Sequence, residues 1–126
     1  MKLLSVHVPS NKPTFFLRLV HSFYEQANDP QCFEIVVKID TGDEKMRDAI
    51  ANVRASLPVN LTVIETEKPA SYFHVWECMD DIIAASDPAY YFCWHVNDEV
   101  LIETKNWDEV LKKYVGMFPD DLFRLK

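Results

Sequence analysis

Two hydrophobic periods alternate along this chain. Leu3–Val8, Phe33–Ile39, Asn60–Glu65 and Ala89–Val96 are short runs rich in β-branched and aromatic residues. Each gives way to a polar loop, at Pro9-Ser10-Asn11, Asp40-Thr41-Gly42, Thr66 to Ser71 and Asn97-Asp98-Glu99, so the pattern predicts four strands. Between them apolar residues recur three and four positions apart. Phe16, Leu19, Val20, Phe23 and Ala27 mark one face of a helix from Thr14 to about Asn28, entered through Pro13. Met46, Ala49, Ile50 and Val53 mark a second, which Asp43 can cap and Leu57-Pro58 ends. Tyr72, Val75, Trp76, Met79 and Ile82 or Ile83 mark a third, broken by Ser86-Asp87-Pro88. Trp107, Val110, Leu111 and Tyr114 give a fourth, from about Asn106 to Val115. The tail from Phe118 to Lys126 reads as a turn opening a fifth strand.

Strict alternation of strand and helix implies right-handed crossovers. The expected fold is therefore α/β, a three-layer Rossmann-like, mainly parallel sheet covered by helices on both faces. A length of 126 residues with 48% apolar content suits a single domain with a sizeable core. Only two glycines are present, Gly42 and Gly116, which excludes both the G-x-G-x-x-G dinucleotide loop and the P-loop. A formal charge of −7 argues against nucleic acid or an anionic membrane as partner. No apolar run is long enough to span a bilayer, and the first residues lack the apolar core of a signal peptide, so no transmembrane segment and a cytoplasmic location are expected. Cys32, Cys78 and Cys93 are odd in number, lack C-x-x-C spacing and lie in apolar contexts, and are read as buried reduced thiols.

The run from Ala89 to Val96 stops abruptly on Asn97, Asp98 and Glu99, as a buried strand would that delivers acidic side chains at its carboxyl end. Ligands of open α/β sheets sit just outside those ends. The other strand exits supply Pro9, Ser10, Asn11 and Lys12; Asp40, Gly42 and Asp43; and Glu65 to Ser71. The bland readings remain open beside this one. Asp40 could close an Asx-turn over Thr41 and Gly42, Asp108 could complement a helix dipole, and Trp107 fits a core position. His7 and His95 read as packed or hydrogen-bonded strand residues, His21 and His74 as helix residues, and Asp80-Asp81 as helix surface.

The order of these pieces resembles the family-two type of GT-A glycosyltransferases. Val8-Pro9-Ser10-Asn11-Lys12-Pro13 looks like that family's Pro-Thr-x-Asn-Arg-Pro loop, and Val36-Val37-Lys38-Ile39-Asp40-Thr41-Gly42-Asp43 like its second strand ending in Asp. Asn97-Asp98-Glu99 followed by Asn106-Trp107-Asp108 is similar to its acidic signature and later Trp-Asp. The resemblance spans nearly all of residues 1–126. It implies a nucleotide-diphosphate sugar as ligand, with Pro9, Ser10, Asn11, Asp40 and Asp98 on the nucleotide, and Mg2+ or Mn2+ held by Asp98 and Glu99. It also implies that the acceptor pocket and the catalytic base lie beyond the point matching Lys126, so neither the acceptor nor a base is assigned. Two alternatives stay open: a non-catalytic GT-A-like binding or association module, and a nucleotidyltransferase. An apparent strand at the tail with nothing to cover it suggests a homodimer.

Overall fold

The structure, a computed structural model, describes residues 1–71, 74 and 77–119. In chain order the elements are β1 (Leu4–Pro9), α1 (Pro13–Gln26), β2 (Phe33–Asp40), α2 (Glu44–Ser56), β3 (Leu61–Thr66), α3 (Met79–Ala85), β4 (Phe92–His95) and α4 (Trp107–Lys112). The strands form one parallel sheet in the order β3-β2-β1-β4. The chain thus winds outward through β1, β2 and β3, then crosses back to pair β4 with β1. That reversal puts a topological switch point between β1 and β4, where open α/β sheets form a crevice.

Side chains alternate across a strand, so the register assigns every residue to a face. Leu4, Val6 and Val8 of β1, Phe33, Ile35, Val37 and Ile39 of β2, and Leu61 of β3 share one face with the apolar stripes of α1 and α2 in a single buried cluster. Trp107 of α4 joins it. The Trp107 ring meets Phe23 and Phe33 edge-on, at centroid distances of 5.5 and 5.1 Å. Full burial of each such aromatic contributes about 1.5–3 kcal/mol. The opposite face is smaller and more polar: Val36 packs there with Cys78 and Ile82 beneath α3, while Ser5, His7, Glu34 and Lys38 are buried polar residues of the same face.

The local signals explain the element boundaries. Pro13 stands in the first turn of α1, where its missing N–H costs no hydrogen bond. The Asp43 side chain accepts from the Met46 amide at 3.1 Å and caps α2. Just before it, Gly42 has φ +81°, a left-handed conformation that favours glycine.

Two expectations need correction. β4 spans four residues, not Ala89–Val96, and it is not buried: Cys93, Trp94 and His95 are exposed and Phe92 is half-buried. The cause is topological. β4 pairs with β1 alone among the described residues, and its entry is a turn in which the Asp87 carboxylate accepts from the Ala89 amide at 2.9 Å. The sheet is covered on both faces over β1 and β2, whereas at β4 Phe92 and Trp94 reach the α1 side and Cys93 and His95 keep exposed side chains on the other. The third helix is described from Met79; Tyr72, Val75 and Trp76, expected in its first turns, lie outside the described residues, as does the expected fifth strand in residues 120–126. No helix among the described residues is long and apolar enough to cross a membrane.

Candidate functional site

The β1–β4 crevice carries the candidate site. A cleft of about 920 Å3 opens at the carboxyl ends of the strands, and its wall includes Pro9, Ser10, Asn11, Asp40, Asp98 and Glu99, all six residues singled out in the sequence. β1 ends at Pro9, and the Ser10 amide continues its ladder by donating to the Lys38 carbonyl at 3.0 Å. That bond fixes Ser10 over the gap, where its hydroxyl donates to Asp98 Oδ2 at 2.8 Å. One hydrogen bond thereby joins the exits of the two strands that flank the switch point. On the next turn, Asn97 Oδ1 accepts from the Glu99 amide at 3.0 Å, which folds the acidic triplet back on itself. Glu99 faces Lys12 at 3.8 Å; both side chains are more than half exposed, so this pair contributes little to stability.

Asp40 at the end of β2 is held otherwise than by the Asx-turn that was its structural alternative. The turn over Thr41 and Gly42 is closed by backbone, the Asp43 amide donating to the Asp40 carbonyl at 3.1 Å. The Asp40 carboxylate instead accepts from Lys38 Nζ at 2.6 Å. Lys38 is buried to 3% exposure, lines the cleft and also donates to the Glu67 carbonyl at 3.4 Å. Lys38 is not among the residues that the sequence pattern singles out. Its signal was the i, i+2 spacing of Lys38 and Asp40, which puts both charges on one face at the strand's exit.

Two further polar groups are explained by tertiary contacts. Asp108 is fully buried and takes the Asn28 and Asp29 amides, each at 2.8 Å, so it clasps the α1–β2 loop rather than only serving a dipole. Burial alone would raise its pKa, but the backbone amides outweigh burial and hold the carboxyl below the usual range. Beside it, burial and then the Asp108 charge push the Cys32 thiol up to about 12. Trp107 is core as expected, with its indole N–H donating to the Phe23 carbonyl at 3.0 Å.

On the polar face, His7 is buried while His95 is exposed, their ring centroids 4.9 Å apart. Burial and then the His95 charge push the His7 pKa down to about 4. Cys32 and Cys78 are buried thiols, but Cys93 is exposed, against the expectation for all three. It belongs to β4, whose pairing among the described residues is with β1 alone.

No protein-family description matches the chain, and no curated protein matches it in sequence. Solved structures do match. Residues 1–349 of S. aureus TarS, a GT-A-type glycosyltransferase, align with a TM-score of 0.71 at 17% identity, covering 91% of this chain and 32% of that one. The fold is of the GT-A type. The same piece of TarS in complex with UDP and in complex with UDP-GlcNAc aligns with this GT-A sheet at a TM-score of 0.69 and 18% identity, again over 91% of this chain. This chain spans about a third of the TarS piece it matches, 32% in the UDP complex and 31% in the UDP-GlcNAc complex. About two thirds of that TarS piece therefore has no counterpart among these residues.

Proposed function

We propose that this chain is the donor-binding part of a glycosyltransferase, taking a nucleotide-diphosphate sugar in the β1–β4 cleft for transfer of the sugar to an acceptor. The observation that carries the proposal is the Ser10–Asp98 hydrogen bond across the switch point, at the mouth of a cleft that also exposes the Asp40 carboxylate. Asp40 is positioned to accept from a base imide or ribose hydroxyls, and its Lys38 partner keeps that carboxylate fixed. The TarS complexes with UDP and UDP-GlcNAc favour a uridine donor.

The acidic turn fits a hard divalent cation. Its donors are carboxylate oxygens, and Asp98 uses Oδ2 for Ser10, leaving Oδ1 without a partner among the described residues. Asp98 and Glu99 would hold Mg2+ or Mn2+, which supplies Lewis-acid stabilisation to the diphosphate leaving group. The chain's own residues do the remaining work: Ser10 orients Asp98, Lys12 offsets Glu99, and Lys38 places a positive charge in the cleft of an otherwise acidic protein.

Titration calorimetry with UDP tests the reading. Binding is expected only with Mg2+ or Mn2+ present and is lost in Asp98→Asn, whose stability stays within about 0.5 kcal/mol of the parent. Asp40→Ala is expected to flatten discrimination among uridine, guanosine and cytidine diphosphates while metal dependence persists. Equal UDP binding with a chelator present overturns the metal assignment. No binding of any nucleoside diphosphate overturns the function.

A further inference from the structure

The polar face carries a second constellation, away from the oxygen-lined cleft. His7 and His95 are directly paired in the parallel register of β1 and β4, and Cys93 lies two residues before His95, hence on the same side of the strand. One ligand-type atom from each of the three falls within 4.8 Å of the others. Cys93 Sγ stands 3.3 Å from His7 Nδ1 and 3.7 Å from His95 Nε2. In a tetrahedral zinc site, bonds of about 2.3 Å to sulfur and about 2.0–2.1 Å to nitrogen separate those atoms by about 3.5 Å. The two sulfur–nitrogen spacings bracket that value.

The hydrogen bonds around His7 also choose its tautomer. Ser5 Oγ donates to Glu34 Oε1 at 2.6 Å, so its proton is committed to the carboxylate. The contact between Ser5 Oγ and His7 Nε2 at 2.8 Å must therefore be donated by the imidazole. Nε2 carries the proton, and the lone pair is left on Nδ1, the atom that faces Cys93. Glu34 is itself fixed by the Asp87 amide, donating at 2.9 Å to the same oxygen. Such a chain, carboxylate to hydroxyl to imidazole, is the kind of outer-shell support that orients a metal-binding histidine. Ser5, His7 and Glu34 are all buried at strand positions where apolar residues would pack without partners, whereas Cys93 and His95 are exposed and give an ion a path from solvent.

We propose that His7, Cys93 and His95 form a zinc site, with His7 Nδ1, Cys93 Sγ and His95 Nε2 as ligands and water in the fourth position. Cys93 loses its thiol proton to solvent as the Zn–S bond forms, so binding releases one proton. Thiolate and imidazole select this ion over Mg2+, which keeps the site chemically distinct from the carboxylates at Asp98 and Glu99. The ion would bridge β1 and β4 just below the strand exits, and so tie β4 to its neighbour.

The test uses the untagged chain and metal alone, without nucleotide, so its outcome is independent of the donor-binding proposal. Titration with Co2+ is expected to give one equivalent of tetrahedral d–d absorption with a thiolate-to-cobalt charge-transfer band, displaced by Zn2+ and untouched by Mg2+. Cys93→Ser abolishes the charge-transfer band, and His95→Ala, at an exposed position, weakens Zn2+ binding by at least about 100-fold. Ser5→Ala, which removes the acceptor of His7 Nε2 and the donor to Glu34 but none of the three ligands, weakens it by about 10- to 100-fold with the band retained. Zn2+ raises the melting temperature of the parent and not of Cys93→Ser. A charge-transfer band that survives Cys93→Ser assigns the thiolate to Cys32 or Cys78 and overturns the site. So does a parent chain that takes up no Co2+ or Zn2+ at one equivalent.

Discussion

The two faces of the sheet are drawn from the same strands and differ only in which alternate residue points each way. Beneath α1 and α2 the face reads Leu4, Val6, Val8, Phe33, Ile35, Val37 and Ile39, an uninterrupted apolar surface. On the α3 side it reads Ser5, His7, Glu34, Val36, Lys38 and Asp40, with Cys93 and His95 continuing the row on β4. Apolar burial drives folding in proportion to area, so the first face contributes the stability. The second face spends part of its area on polar groups, each hydrogen-bonded or ion-paired, and is where binding chemistry can be placed. The division teaches that one-residue parity along β1 and β2 separates what holds this fold from what the fold is for.

The contrast can be broken most severely on the apolar face. Phe33→Ala empties a position in contact with Phe23, Tyr24 and Trp107, and is expected to cost about 3–5 kcal/mol by denaturant unfolding. An effect under 1 kcal/mol would mean that the two faces share the load. On the polar face, Lys38→Met leaves the Asp40 carboxylate beside an uncharged side chain. The expected loss is about 3 kcal/mol, the low end for a buried pair because Asp40 retains some solvent contact. Adding Asp40→Asn should restore most of it; if the double variant is no better than the single one, the lysine is valued for its packing and not for its charge.

Asp108 sharpens the comparison from another side, being a carboxylate buried next to the apolar cluster. Asp108→Asn weakens two charge-assisted amide bonds and is expected to cost about 2 kcal/mol at neutral pH. Its folded pKa lies below the ordinary value of 3.8, so the ionised group's contribution is fully present above that pH and is lost as the pH falls through the folded pKa. Acid titration of stability should therefore show parent and variant converging below about pH 3.8 and parallel above it. Parallel curves throughout would remove the charge from the account.

Much of this architecture is legible in the sequence because local period and tertiary placement agree. β1, β2, β3, α1 and α2 lie within about two residues of the pattern, and Asp43 caps where its side chain predicts. The failures cluster where neighbours decide. The aromatic run before Asn97 reads as buried, since composition cannot reveal that β4 pairs with β1 alone among the described residues. Lys38 reads as a strand residue, because only the partner strands show that its amine is enclosed. Asp108 sits at a helix start in sequence and clasps a loop eighty residues earlier in space. Cys93 and His95 show their period-two spacing on the page, but His7 joins them only once the register of β1 against β4 is known.

The placement of α4 has a consequence for the order of events during synthesis. Trp107 closes the stack formed by Phe23 and Phe33, and Asp108 receives amides from Asn28 and Asp29. β1, made before the other three described strands, finds its second partner only at Phe92. A nascent chain emerging from its N-terminus can pair β1, β2 and β3 early, but it keeps one side of β1 vacant and the aromatic stack open until roughly the last quarter of these residues has been made. Contacts this distant in sequence slow folding and prolong the life of incomplete states. Between translation of Phe33 and translation of Trp107 the stack lacks its closing ring, and its apolar faces are open to non-native contacts.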